Sequence, residues 1–207
     1  MNALVQRASA AIFDAFMAPL ESFRLRRIRG RLLGHAQGAV LEVGAGTGVN
    51  VAYYDSARLD SLTMSDLDDR QVVLGERIAR EQPALAHRAS IARIDAERLP
   101  FPDDSFDTVV ATLLFCSVAC QPCGFDEIAR VLKPDGRYLF LEHVRPDHAT
   151  MATVFDVVNP LWNQLSRGCN LNRDTLATLR QAGFEIEWKS ADRNGVFIWG
   201  AALQSRS

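Results

Sequence analysis

The stretch Val40-Leu41-Glu42-Val43-Gly44-Ala45-Gly46-Thr47-Gly48 concentrates the clearest chemistry in this chain. Three glycines alternate directly after a short apolar strand, and a helix is expected over 49–54. Glycine accepts dihedrals that a Cβ forbids, so such a loop lets a ligand lie against the backbone. The helix that follows offers unpaired N–H groups. The spacing is G-x-G-x-G, which is neither the phosphate loop with its lysine nor the dinucleotide fingerprint. No lysine or arginine follows Gly48, and Glu42 stands just before the loop. Both features disfavour a polyphosphate and favour an uncharged or cationic nucleoside. Two carboxylates complete the pattern. Asp66 ends the next apolar strand, where a carboxylate can take the two hydroxyls of a ribose. Asp95 opens Asp95-Ala96-Glu97-Arg98-Leu99-Pro100-Phe101. Its carboxylate can accept an adenine amine while the Ala96 N–H donates to a ring nitrogen. Phe101 either lines that pocket or packs in the core.

Those residues need a scaffold, and the apolar pattern supplies one. Residues 3–35 read as helix in two pieces, with Ile12, Phe16, Leu20 and Phe23 on one stripe and Pro19 ending or kinking the first piece. Strands are expected at 39–43, 62–65, 90–94, 108–114 and 138–144. Helices are expected at 68–82, 125–132, 150–166 and 174–182. Two last strands, 186–190 and 196–203, form an antiparallel hairpin, with Asn194-Gly195 as a type I′ turn candidate. Strands alternating with helices give an α/β sheet covered on both faces. The division expected is a single domain over 1–207. Within it, 1–35 is a helical cap, 36–145 a ligand-binding core, 146–172 a helical insertion, and 173–207 the closing helix and strands.

Composition narrows the function. At 207 residues the chain is one domain in length, and 48% hydrophobic with 23% charged residues is ordinary for a globular protein. Lys and Arg total 23 against 25 Asp and Glu, a formal net charge of −2. A duplex-DNA binder carries a basic excess, so nucleic acid is not expected as a partner. Arg24, Arg26, Arg27, Arg29 and Arg31 fit either a solvated helix face or contact with an anionic membrane surface. The solvated face is preferred because such faces are common. No apolar run reaches membrane-span length, and no secretory signal is read at the N-terminus. The four cysteines, Cys116, Cys120, Cys123 and Cys169, are too few for a disulfide scaffold. They are expected as reduced thiols in a cytoplasm. Cys120 and Cys123 have metal or redox spacing, but a second such pair is missing, so no metal site is expected.

Taken in order, these motifs resemble those of class I S-adenosylmethionine-dependent methyltransferases. Leu41–Gly48 is similar to the family's first motif, and Asp66 to its acidic second-strand motif. Asp95–Phe101 with Ser105-Phe106-Asp107 matches the adenine-side motif, and Val131-Leu132-Lys133-Pro134-Asp135-Gly136 the turn before strand five. The resemblance implies a Rossmann-like, seven-stranded, mostly parallel sheet with helices on both faces and an antiparallel C-terminal hairpin. It also implies S-adenosylmethionine as methyl donor, with S-adenosylhomocysteine as product. Glu42, Gly44, Ala45, Gly46, Gly48, Asn50, Asp66, Leu67, Asp95, Ala96, Glu97 and Leu114 would then serve as cofactor-binding positions. Leu114-Phe115-Cys116-Ser117-Val118, Glu142-His143-Val144, Pro160-Leu161-Trp162 and the segment Gly168–Thr175 look like the small relatives of animal thiol S-methyltransferases. Animal members of that group begin with a membrane-anchoring apolar helix that this chain does not show. A looser resemblance reaches the ubiquinone/menaquinone-biosynthesis C-methyltransferases and phosphatidylethanolamine N-methyltransferases.

The resemblance directs attention to the acceptor. Methyl transfer from a sulfonium is a displacement in which alignment supplies much of the rate, and a thiol needs little help from a base. The expected acceptor is therefore a small apolar molecule, preferably a thiol. The alternatives are a quinol ring carbon, a phospholipid amine, or a catalytically silent cofactor-binding regulator. His143 ends strand five as a base, a hydrogen-bond donor or a packing residue. Trp162, with Phe155 and Leu161, forms a lid or merely covers the sheet. Phe13, Asp14, Phe16 and Met17 cap the opposite side, and Phe115 and Cys116 complete the acceptor-side candidates.

Overall fold

The computed structural model describes residues 3–18, 23–166 and 168–205. Two helices, α1 (Ala3–Met17) and α2 (Phe23–Leu33), precede strand β1 (Gly38–Val43). Then come β2 (Leu59–Asp66), α3 (Gln71–Glu81), β3 (Ala89–Arg93), β4 (Phe106–Thr112), α4 (Gln121–Val131) and β5 (Leu132–His143). The chain closes with α5 (Ala149–Leu165), α6 (Thr175–Gln181), β6 (Phe184–Ala191) and β7 (Phe197–Gln204). The expected break at Pro19 lies outside the described residues.

Seven strands form one sheet in the order β3-β2-β1-β4-β5-β7-β6. Strands β1 to β5 are mutually parallel, and β7 alone runs against its neighbours β5 and β6. The order reverses between β1 and β4, so the crevice over their carboxyl ends is where ligands bind in such sheets. The central strands are apolar on both sides, as expected for strands covered on both faces. Val40, Leu62, Val110, Leu139 and Leu141 meet Leu25, Ile28, Leu32 and Leu74 on one face. On the other, Leu41, Val109, Tyr138 and Phe140 meet Phe125, Ile128 and Leu179.

Three local expectations are corrected. The helix over 49–54 is only a 3-10 turn, Val51–Tyr53, because the Asn50 side chain is tied inward to Glu42, Thr112 and Arg29. Asn194 lacks the positive φ that a type I′ turn demands at both central residues. Gly195 alone is left-handed, at φ 66°, and Asp192 Oδ1 accepts the Val196 and Phe197 N–H groups to close a longer loop. Lys133–Gly136, expected as a turn before strand five, is instead an excursion inside β5. Leu132 pairs with Phe106 and Arg137 with Thr108, leaving those four residues out of the ladder.

Candidate functional site

The glycine loop stands over the carboxyl end of β1. Gly44, Gly46 and Gly48 have φ values of 71°, 57° and 79°, all in the left-handed region that side chains resist. Their surroundings differ. A Cβ on Gly44 would lie 2.6 Å from Leu114 Cδ1, so that glycine lets the β4 end close against the loop. A Cβ on Gly46 would meet nothing within 4 Å, which leaves the loop's backbone open there. Leu113, with φ 55°, is the strained residue that swings Leu114 onto Gly44. No feature of the sequence marks it.

Below the loop lies a buried polar network. Asn50 Nδ2 donates to Glu42 Oε1 at 2.8 Å and Tyr54 Oη donates to Glu42 Oε2 at 2.7 Å. Arg29 Nη1 donates to Asn50 Oδ1 at 2.6 Å and to Thr112 Oγ1 at 2.8 Å. Burial pushes the Glu42 carboxyl up to about 7, against the pull of Tyr54, Asn50 and Arg29. Both Glu42 oxygens are thus occupied beneath the loop, and one arginine of the basic segment, Arg29, points into the core rather than to solvent.

Asp66, the last residue of β2, accepts the Gly46 N–H at 2.7 Å through Oδ2 and the Asp68 N–H at 3.0 Å through Oδ1. It joins the loop to the strand end. Ile94 N–H donates to Asp66 O at 2.9 Å, which brings the Asp95 turn beside it. Asp95 is exposed and accepts the Glu97 N–H at 3.0 Å, and Ala96 is half-buried next to it. Glu97 itself reaches away, accepting the Cys120 N–H at 2.8 Å, so it anchors α4. Leu67 is exposed beside Asp66, and Phe101 packs edge-on against Phe106 in the core. Asp14 meets the loop from α1: Thr47 Oγ1 donates to Asp14 Oδ1 at 2.6 Å. The helix is held there by Gln6, whose Oε1 accepts the Val72 N–H, and by the Arg7–Glu76 ion pair. The Phe13, Phe16 and Met17 side chains lie outside the described residues.

On the acceptor side, His143 ends β5 and is 9% exposed. Its ring stacks on Phe155 at 5.8 Å and meets Phe197 edge-on at 5.4 Å, with Nδ1 buried and unpartnered. Burial lowers its pKa to about 4 despite nearby Asp192. Burial thus favours the neutral imidazole, a weak base packed between two aromatic rings. Phe115 is corrected: it is fully buried, stacked on Phe125 at 4.0 Å, and belongs to the core. Trp162 is half-buried on α5, its Nε1 enclosed and directed towards Cys169.

Glu142 was not among the expected site residues, yet it organises the β4 turn. It is fully buried, and Oε1 accepts the Leu114 and Phe115 N–H groups at 3.3 and 3.1 Å. Burial pushes it up to about 8, opposed by the backbone donors of Phe115, Leu114 and Cys116. Hydropathy conceals such a residue, because a glutamate inside a strand reads as a solvent-facing position.

The cysteines depart most from expectation. Cys120 and Cys123 are joined in a disulfide at the start of α4, with Cys120 as the helix N-cap. The reading of all four as reduced thiols is corrected, because the helix start brings the two sulfurs of the Cys-x-x-Cys pair together. Cys116 and Cys169 remain free. Among the described residues, no group of three or more His, Cys, Asp or Glu is arranged to hold a metal ion, and no helix is long and apolar enough to cross a membrane.

A reversed strand order, an open glycine loop at the reversal and an acidic residue ending β2 are features that nucleotide-binding α/β sheets place at this edge. Residues 41–140 match the family model described as a methyltransferase domain, and the chain belongs to the class I S-adenosylmethionine-dependent methyltransferases. Thiol S-methyltransferase TMT1A of Homo sapiens is 31% identical over 148 residues, which is 70% of this chain and 59% of that protein. Ubiquinone/menaquinone biosynthesis C-methyltransferase UbiE of Shewanella pealeana is 29% identical over 164 residues, 76% of this chain and 64% of that one. The chain thus spans less than two thirds of these relatives' length. Among solved structures, the [4+2]-cyclase SpnF shares the fold with a TM-score of 0.68 at 22% identity, over 89% of this chain and 81% of that one.

Proposed function

We propose that this protein transfers a methyl group from S-adenosylmethionine to the sulfur of a small, apolar thiol. The observation that carries the donor half is the loop itself: three left-handed glycines, with a Gly46 face that stays open where a Cβ would fill it. The residues fit this donor. The Gly44–Gly48 backbone would hold it, Asp66 would take the ribose hydroxyls, and Asp95 with the Ala96 N–H would take the adenine. When bound, the donor supplies a methyl group on a positively charged sulfur. Asp66 has a double task, since the carboxylate that meets the ribose also fixes the Gly46 N–H.

The acceptor half rests on the thiol S-methyltransferase relatives and on an acceptor side with little base strength. His143 is neutral and a weak base, and Glu142, raised to about 8, already holds a proton at pH 7. A thiol with a pKa near 8.5 ionises enough at neutral pH to react without a strong base, whereas an alcohol does not. Trp162, Phe155 and Leu161 of α5 would exclude water and position the acceptor, an alignment effect. A quinol ring carbon is the second reading, favoured by the UbiE relatives. SpnF is a cyclase on the same fold, so the fold alone does not dictate methyl transfer.

The test is methyl-labelled S-adenosylmethionine offered to the full chain with aliphatic and aryl thiols, quinols and phospholipid amines. Label on the thiol sulfur is the expected result. Label only on a quinol carbon or a lipid amine overturns the thiol reading. Donor binding without transfer to any of them assigns the chain to silent cofactor binding instead.

A further inference from the structure

Two free cysteines come together on the acceptor side. Cys116 lies in the turn after β4 and is 2% exposed, with its sulfur 3.6 Å from Leu113 O. Cys169 lies in the segment after α5 and is half-buried. That segment is clamped to the β4 turn: the backbone N–H of Asn170 and its Nδ2 both donate to Cys116 O, at 2.8 and 3.1 Å. The Cys116 thiol donates to Leu113 O, and within the clamp Cys116 and Cys169 lie close enough for each to shift the other's pKa. Trp162 Nε1 is buried near Cys169 without a hydrogen-bond partner, the Ser166 hydroxyl donates to Trp162 O at 2.7 Å and Cys169 O at 3.5 Å, and the Arg173 guanidinium, held by Phe115 O at 2.7 Å, adds positive charge. These neighbours, Cys116 first, lower Cys169 to about 7, while the link to Cys169 and burial raise Cys116. The pair is therefore asymmetric, a half-buried Cys169 with a lowered pKa beside a buried Cys116 thiol.

We propose that Cys169 and Cys116 form a thiol–disulfide exchange site for small organic disulfides, with Cys169 attacking and Cys116 resolving. The Cys169 thiolate attacks one sulfur of R–S–S–R, and a Cys169–S–S–R bond forms. The S–S bond of the small disulfide breaks, and R–S⁻ leaves with its electron pair. Cys116 sulfur then attacks Cys169 sulfur, its proton passes to the departing group, and the second R–SH is released. Two protein thiols are oxidised to one disulfide, and one small disulfide is reduced to two thiols. Two molecules of a small thiol return the pair to its reduced state and leave as their disulfide. An attacking thiol with a pKa close to ambient pH is the most effective in such exchange, and a resolving thiol held against it shortens the life of the mixed disulfide. On the reading of this chain as a thiol S-methyltransferase, and only there, the released thiol is itself an acceptor. The exchange needs no methyl transfer.

The test uses 4,4′-dithiodipyridine as probe, at one equivalent per native full-length chain, with no methyl donor. The expected result is release of two equivalents of thiopyridone and an intact mass lower by two hydrogens with no adduct. Peptide mapping should join the Cys116 and Cys169 peptides. Cys116→Ser should release one equivalent and keep the adduct on Cys169. Cys169→Ser, folded by circular dichroism, should react at least about tenfold more slowly, having lost the reactive thiolate. A wild-type chain that carries stable adducts overturns the proposal, as does a Cys169→Ser chain that reacts at the wild-type rate. Because the readout is thiopyridone and mass, its failure leaves thiol methylation standing, and a failed methylation panel leaves the exchange standing.

Discussion

Replacing Gly46 with alanine separates the two roles a glycine can have in a binding loop. At φ 57° an alanine sits in the left-handed region, which costs about 1–2 kcal/mol for an L-residue. Nothing lies within 4 Å of its new Cβ, so no clash adds to that strain. For a chain of this length about 1 kcal/mol lowers Tm by about 2–4 °C, so the variant should fold with a Tm lower by about 2–8 °C. The cofactor should fare worse. A Cβ extends about 1.5 Å from the backbone, enough to push a ligand out of hydrogen-bonding and contact distance. Losing one such hydrogen bond costs about 1–1.5 kcal/mol, so Kd should rise about five- to tenfold. Calorimetric titration with S-adenosylmethionine and S-adenosylhomocysteine measures this. Gly183→Ala is the matched control: φ is 82°, its Cβ also meets nothing within 4 Å, and it lies between α6 and β6, away from the loop. It should show the same loss of Tm with unchanged affinity. If Gly46→Ala binds the cofactor like the wild type, or if Gly183→Ala weakens binding as much, the open face of Gly46 is not ligand space and the reasoning fails.

Asp66→Ala removes both the ribose acceptor and the partner of the Gly46 N–H, so cofactor affinity should fall by about 2–3 kcal/mol in calorimetry with unchanged circular dichroism; unchanged affinity would falsify the ribose assignment. Glu142 is raised to about 8, so between its unfolded pKa near 4.5 and pH 8 the native state holds a proton that the unfolded chain has lost, and its contribution to stability falls as pH rises. Glu142→Gln keeps an acceptor for the Leu114 and Phe115 N–H groups and should remove that slope in urea unfolding at pH 6 and pH 9; an unchanged slope assigns it to other groups. His143 is lowered to about 4, so its contribution has the opposite sign, with stability gained as pH rises from about 4 to about 6.5. The kcat/KM profile of the enzyme should therefore carry no inflection between pH 6 and 7 that disappears in His143→Phe. Trp162→Ala should lower kcat/KM for the acceptor about ten- to a hundredfold with little change in cofactor Kd, and loss of the fold or of cofactor binding would make Trp162 a core residue instead.

The sequence by itself determined what depends on local periodicity and local conformational cost. Apolar runs in Val40–Val43 and Thr108–Ala111 had to be covered on both faces, which yields the parallel sheet. Alternating glycines at 44, 46 and 48 announced a loop whose positive φ values strain other residue types. Asp66 was legible because a strand end and an acidic residue coincide. What escaped the sequence was whatever depends on contacts between distant segments. Glu42 reads as a cofactor-side carboxylate and Glu142 is not singled out by the sequence; only the packed sheet shows both buried, with carboxyls raised by desolvation and held by Leu114, Phe115, Asn50 and Tyr54. His143 reads as a base, a hydrogen-bond donor or a packing residue, and only the packed structure shows Phe155 and Phe197 burying it and favouring its neutral form. Phe115 read as a pocket wall until its ring was found against Phe125. Cys116 and Cys169 are separated by two helices along the chain, and the Asn170 clamp that joins them is a tertiary contact without any local signature. Charge and hydrogen-bond energies depend on burial and on partners, and neither exists until the chain has packed.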